Sequence, residues 1–288
     1  MTREPERTVP TAAGEAEICA QAFGDPADPA VLLIMGQMGS MLWWRDEFCG
    51  RLAARGRYVL RYDHRDTGRS TSYPPGEPGY SGDDLAEDPI AVLDAYGIER
   101  AHIAGVSMGG GIAQTIAVRH PGRVASLTLL STRTIEDAPD LPPPDPAYME
   151  HAGSFAEIDW SDADAVAEMF VADCRAAGST LHPFDEEATR AFVDSDLARA
   201  RNPASFQNHT VMDHGDGVPD GSLGRIAVPT VVLHGSSDPL FPPGHGEVLA
   251  ASIPGASLEL IEGGGHVLHE RDWDQLIEAV VTISGKSA

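Results

Sequence analysis

The 288-residue sequence predicts an α/β fold: a mostly parallel sheet covered by helices on both faces and interrupted once by a helical insertion. Three observations carry that expectation. Short β-rich apolar runs alternate with segments of helical periodicity. The alternation lapses between about residues 135 and 223 and then resumes in the same order. The apolar runs are strand-sized and continuous rather than alternating, as in strands buried on both faces.

Taken in order, residues 17–23 alternate weakly and meet the turn cluster Gly24-Asp25-Pro26. Residues 31–35 form a buried-type strand that stops at Gly36. Apolar residues at helical spacing (Leu42, Phe48, Leu52) predict a helix over 42–55, ended by Gly56. Residues 58–62 are a short strand. Residues 85–96 read as a helix closed by Gly97, with Pro89 predicting a late start near Asp88 or a kink. Strand 101–105, helix 107–119 and strand 126–131 follow. The insertion opens with a Pro-rich stretch, 135–146. It then carries helical patterns at 162–177 and 185–201, and closes with the Gly/Asp-rich stretch 214–224. Strand 230–234, helix 245–253, strand 257–262 and helix 272–283 complete the chain. The expected division is a core over 1–134 and 224–288 with a helical cap over 135–223.

The composition narrows the function classes. Hydrophobic residues make up 42%, enough for a substantial core. The formal net charge of −24 argues against nucleic-acid binding, because such a surface repels phosphate. It suits an anionic membrane no better, and no apolar run is long enough to span a bilayer. The charge is read mainly as solvation of the surface, with a bias toward cationic and against anionic substrates. Cys19, Cys49 and Cys174 are odd in number and widely spaced, so a reducing cytoplasm is expected. The first ten residues carry no apolar signal segment. The partner expected is a small molecule, and a homodimer is compatible with the sequence.

The chemistry concentrates in A-H-I-A-G-V-S-M-G-G-G, where G-V-S-M-G matches G-x-S-x-G between a strand and a helix. In that context the pattern is a nucleophile elbow, which lifts Ser107 above the sheet edge on a tight turn that excludes side chains at Gly105 and Gly109. A serine hydroxyl needs a base, and the base needs an orienting acid. Asp238 follows strand 230–234 and His266 follows strand 257–262, so both sit in loops at carboxyl ends of strands, where such residues converge. His269 is the second choice for the base, and Glu136 or Asp137 the second position for the acid. An oxyanion needs two N–H donors. Met108, directly after the nucleophile, offers one, and Gln37, after the turn at Gly36, the other. Asp63, Arg65 and Asp66 read as a structural salt-bridged turn, and His64 as structural.

With these pieces in place, the chain resembles α/β-hydrolase-fold enzymes over nearly its whole length outside the cap. V-L-L-I-M-G-Q-M-G-S, Y-V-L-R-Y-D-H-R-D-T-G-R-S, G-V-S-M-G-G, L-H-G-S-S-D-P-L and E-G-G-G-H carry the resemblance. The family pattern D-x-R-G-x-G-x-S has Asp66 in place of its first glycine. That form, with F-G-D-P-A-D-P-A and M-G in place of H-G, is most similar to aclacinomycin methylesterase-type carboxylesterases, which remove a methyl ester from an anthracycline polyketide. The resemblance implies an eight-stranded sheet, a cap inserted after the sixth strand and a carboxylic-ester hydrolase.

No histidine-rich metal pattern and no phosphate-binding loop occurs, so neither a metal nor another cofactor is expected. Gly36, Trp43, Trp44, Phe155, Trp160 and Phe206 are the candidate walls of a pocket for a hydrophobic, flat ester. Hydrolysis of a C–C, lactone or amide bond, or perhydrolysis, would use the same triad. A non-catalytic ligand-binding receptor on this fold is the reading from a different class.

Overall fold

The computed structural model describes residues 2–286. Eight strands form one sheet: β1 (Arg7–Pro10), β2 (Glu17–Phe23), β3 (Ala30–Ile34), β4 (Tyr58–Tyr62), β5 (Ala101–Val106), β6 (Val124–Leu130), β7 (Thr230–Gly235) and β8 (Ser257–Ile261). Their order across the sheet is β1-β2-β4-β3-β5-β6-β7-β8. β1 and β2 pair antiparallel, as does β2 with β4, and every later pairing is parallel. β1 is too short and polar to stand out in the sequence.

Alternate residues of the strands face opposite layers. Leu32 and Ile34 of β3 join a core layer with α2 (Gly82–Ala95), α3 (Met108–Arg119) and α8 (Gly244–Ser252). Val31 and Leu33 join the other layer, with α1 (Asp46–Ala53) and α9 (Trp273–Gly285). Both faces of the sheet are therefore covered, which is why its strands read as continuous apolar runs.

Two helix expectations need correction. α1 begins only at Asp46, after a single turn of 3₁₀ helix at Met41–Trp43. α2 starts well before Pro89, because Ser81 and Asp84 form a capping box that fixes the first turn at Gly82. Pro89 then lies within the helix, beside the buried Asp88.

The cap lies between β6 and β7. It holds α4 (Pro146–Gly153), α5 (Ala163–Ala176), α6 (Glu186–Arg199) and the single turn α7 (Asn208–Val211). α5 and α6 bury Val166, Phe170, Val193 and Leu197 against Phe206 in a small core of their own.

The turn after β4 joins this cap to the sheet. The turn is salt-bridged as expected at Asp63 and Arg65, but to partners outside it rather than within it. The left-handed backbone of Asp66 (φ 66°) turns the chain there, and the three side chains reach three different elements. Asp63 takes Arg199 of α6 at 2.8 and 3.1 Å. Arg65 forms a two-pronged pair with Asp88 of α2 at 2.8 and 2.9 Å. Asp66 accepts from Asn208 of α7 at 2.9 Å and from Tyr80 at 2.8 Å.

Among the described residues, no helix is long and apolar enough to cross a membrane.

Candidate active site

β3 is flanked by β4 on one side and β5 on the other, so the chain reverses its direction of travel across the sheet at this point. A crevice opens outside the carboxyl ends of the strands where such a reversal occurs. The loop after β3 and the turn after β5 meet there. Ser107 occupies that turn with φ 53° and ψ −119°, outside the regions an L-residue prefers. Its backbone is held by four bonds: its N–H donates to the Leu130 carbonyl at 2.9 Å, and its own carbonyl accepts from Gly110 N–H at 2.9 Å, Gly111 N–H at 3.2 Å and Thr132 Oγ1 at 2.8 Å.

The surrounding glycines are clearance requirements. A Cβ on Gly105 would lie 2.2 Å from the Gly109 carbonyl oxygen, and one on Gly109 would lie 2.5 Å from the carbonyl oxygens of Ile34 and Met35. These neighbours are backbone and cannot swing aside. The elbow packs directly on the end of β3, so the loop carrying Gly36 and Gln37 is set beside Ser107.

The His266 ring connects the serine to the acid. Its Nε2 lies 3.0 Å from Ser107 Oγ and its Nδ1 lies 2.9 Å from Asp238 Oδ2. A carboxylate at Nδ1 requires a proton there, so Nε2 presents its lone pair to the hydroxyl. Asp238 is fully buried at its side chain. Its other oxygen accepts from Leu240 N–H at 2.9 Å and Phe241 N–H at 2.8 Å, which fixes the carboxylate plane. The second-choice residues are engaged elsewhere. His269 stacks on His182 with centroids 4.6 Å apart and accepts from Arg271 N–H. Glu136 accepts from Leu223 N–H, and Asp137 N–H donates to Asp220.

The loop after β3 is braced from two sides by histidines. His64 Nε2 donates to the Met35 carbonyl at 2.8 Å. His209 of α7 accepts from Met38 N–H at Nδ1 and donates to the Arg65 carbonyl at Nε2, both at 2.9 Å. The Gln37 side chain donates to the His209 carbonyl at 2.9 Å. Met38 has φ 62°, a conformation that needs such support. Burial pushes the pKa of His64 down to about 3 and that of His209 down to about 4, so both are neutral near pH 7. From the sequence His64 reads as structural with no partner to name, and His209, near His214, Asp213 and Asp216, reads as part of a polar linker; the structure makes both part of the brace. Only His64 in the turn following β4 and a histidine in the cap hinted at this brace.

A cavity of about 310 Å³ opens from Ser107 under the cap. Of the candidate wall residues, Gly36, Trp43, Trp44 and Phe155 line it. Trp160 and Phe206 do not. Phe206 is buried in the cap's own core against Phe170, with centroids 6.1 Å apart, and Trp160 packs on the same cluster. Tyr148 and Phe170, cap aromatics whose sequence pattern fits core or pocket equally, line the cavity, as does Met35, which the sequence did not single out as a wall. Its polar feature is Asp173, which accepts from the Tyr148 hydroxyl at 3.1 Å and whose pKa burial raises.

Among the described residues, one group, His182, His269 and Asp272, brings metal-type donor atoms within 4.8 Å of one another. None of the three hydrogen-bonds to Ser107, His266 or Asp238, and His182 already bonds Asp272 at 3.0 Å.

Comparison with known proteins agrees with this architecture. Residues 29–272 match the family described by the α/β hydrolase fold. The chain belongs to that family. This hydrolase is 33% identical over 272 residues to a rhodomycin D methylesterase of Streptomyces sp. (strain C5), covering 88% of this chain and 90% of that one. It is 29% identical over 249 residues to a putative carbamate hydrolase of Pseudomonas savastanoi pv. phaseolicola, covering 85% and 89%. An esterase of Rhodococcus sp. ECU1013 superposes with a TM-score of 0.80 at 21% identity, covering 99% of this chain and 100% of that one, which shows the shared fold.

Proposed function

We propose that this hydrolase is a serine carboxylesterase that cleaves a small, hydrophobic ester through an acyl-enzyme. The observation that carries the reading is the unbroken hydrogen-bond chain Asp238–His266–Ser107 ending at the wall of an aromatic cavity. His266 Nε2 takes the hydroxyl proton as Ser107 Oγ attacks the ester carbonyl. The tetrahedral oxyanion rests on the N–H groups of Gln37 and Met108. The C–O bond to the alcohol then breaks, and His266 returns its proton to the departing oxygen. Water, deprotonated by the same ring, attacks the acyl-serine and releases the acid with Ser107 restored. Asp238 holds the proton-bearing Nδ1 edge and stabilises the imidazolium that forms twice per cycle.

The cavity supports a flat acyl group: Trp43, Trp44, Phe155 and Phe170 supply faces, and Tyr148 with Asp173 supplies one polar handle for a substrate hydroxyl or amine. The similarity to rhodomycin D methylesterases favours a methyl ester of an aromatic polyketide-like acid. The similarity to putative carbamate hydrolases keeps a carbamate as the second reading.

Ser107→Ala should lower kcat at least about a thousandfold while leaving the melting curve intact, as removal of a triad nucleophile does elsewhere. A fluorophosphonate probe should label the native protein and not the variant. Turnover retained by the variant would sink the assignment, and faster cleavage of aryl carbamates than of the matched methyl esters would favour the second reading.

A further inference from the structure

A second cavity, of about 210 Å³, adjoins the one that holds Ser107. Trp43, Trp44, Cys174, Val267 and Leu268 line both, so the two share a wall. Its volume suits one aromatic ring, since an apolar cavity of ~150 Å³ accommodates benzene. Phe184 and Trp273 supply further aromatic faces.

Arg45 is the unusual member of this lining. Its guanidinium carbon stands 3.3 Å from the centroid of the Phe192 ring. Among the described residues, its side chain has no hydrogen-bond acceptor and no carboxylate within 4.0 Å. That is notable in a chain with 44 acidic residues. The other arginine of the cavity, Arg175, is paired with Glu186. Of the acids of the lining, Asp185 caps α6 by accepting from Ala188 N–H, and Glu270 acts on Arg45 by charge without forming an ion pair within 4.0 Å. A guanidinium stacked by its face on a ring keeps its planar fork of N–H donors open at the edge. That edge matches a carboxylate better than any neutral group.

We propose that this cavity is an accessory site, serving the catalytic one, for a planar aromatic anion, a carboxylate or phenolate. The ring lies among the Trp43, Phe184 and Trp273 faces and the oxygens meet the Arg45 fork. The overall negative charge disfavours anions at long range, but screening confines that effect to about 8 Å at physiological salt. The local fork then decides. The anion has two sources: a distal acid group on the ester being cleaved, or a separate aromatic acid such as a released product.

Direct binding tests the site without relying on the esterase reading. Benzoate and its uncharged isostere benzamide are titrated calorimetrically into the Ser107→Ala protein. Benzoate should bind at least about tenfold more tightly, the scale of a charge-assisted hydrogen-bonded pair. Adding Arg45→Met should abolish the difference with the melting temperature unchanged, and Arg45→Lys should retain part of it. Equal binding of the two ligands, or benzoate binding that ignores Arg45→Met, overturns the proposal. Kinetics on the active protein separate the sources. If the anion belongs to the substrate, aryl methyl esters with a distal carboxylate should show a lower KM than their carboxamides, and Arg45→Met should erase the ratio. If it is a separate acid, the ratio should be near unity and benzoate should alter turnover of neutral esters. Silence in both kinetic arms overturns the link to the catalytic cavity. An inactive protein would refute the esterase reading and leave the calorimetric result to stand.

Discussion

The floor and the roof of the cleft are held by different forces. The floor, at the ends of β3, β5, β7 and β8, is set by backbone meeting backbone. Gly109 clears two carbonyl oxygens, and a Cβ on Gly235 would lie 2.3 Å from the Gly264 carbonyl oxygen. The roof, α4 to α7, is set by aromatic packing and by a few buried polar ties to the sheet. Backbone contacts admit almost no alternative side chain, whereas packed rings can be exchanged for others of similar volume. The floor should therefore fail abruptly when changed, and the roof gradually.

The sharpest way to break this contrast is Gly109→Ala. One methyl group forced against the Ile34 and Met35 carbonyls should displace the elbow, and both activity and the cooperative melt should collapse. A variant that keeps more than about a tenth of native kcat would show that the floor yields like the roof, because a displacement of about 1 Å can already cost a hundredfold. His209→Gln tests the joint between them. Loss of its brace on Met38 should lower kcat about 10- to 100-fold while KM stays within a few-fold, because the oxyanion donors are needed most in the transition state.

The same variant carries a pH signature. The folded pKa of His209 lies near 4, below the ordinary value of about 6.5, so the unfolded chain binds a proton that the folded chain refuses. This contribution to stability is lost as pH falls from about 6.5 toward 4. The variant should therefore lose stability less steeply than the native protein between pH 7 and 5, measured by denaturant titration; an unchanged slope would contradict the burial of a neutral ring. At the roof, Phe155→Ala should raise KM a few-fold with kcat nearly kept, and a kcat collapse there would remove the distinction altogether.

The same contrast explains what could be read without coordinates. Ser107, Asp238 and His266 were legible because each follows the carboxyl end of a strand, and Gly105 and Gly109 because glycines flanking such a turn have one physical use. The sheet was legible because strands buried on both faces read as unbroken apolar runs. The roof was not, because a phenylalanine on an amphipathic helix has the same signature whether it faces its own core, as Phe206 does, or the cavity, as Phe170 does in part. The brace was hidden for a different reason. His209 and Met38 lie 171 residues apart, and no local pattern couples a cap histidine to a turn after β3. The start of α2 was hidden because Pro89 reads as a helix breaker, whereas the Ser81–Asp84 capping box begins the helix at Gly82 and leaves Pro89 inside it.

The ties of the cap have a mechanical consequence. Its α6–α7 side is pinned by Arg199 on Asp63, Asn208 on Asp66 and Trp43 on Asp196, all wholly or largely out of water. The α4 side rests on lighter contacts, chiefly Asp145 N–H to the Pro239 carbonyl and His245 Nε2 to the Pro142 carbonyl. The cap is thus stiff along one margin and compliant along the other, and a ligand too large for the aperture would press it open on the α4 margin. Amide hydrogen exchange should be faster in residues 146–153 than in the second half of α6, and the reverse order would place the soft margin on the opposite side.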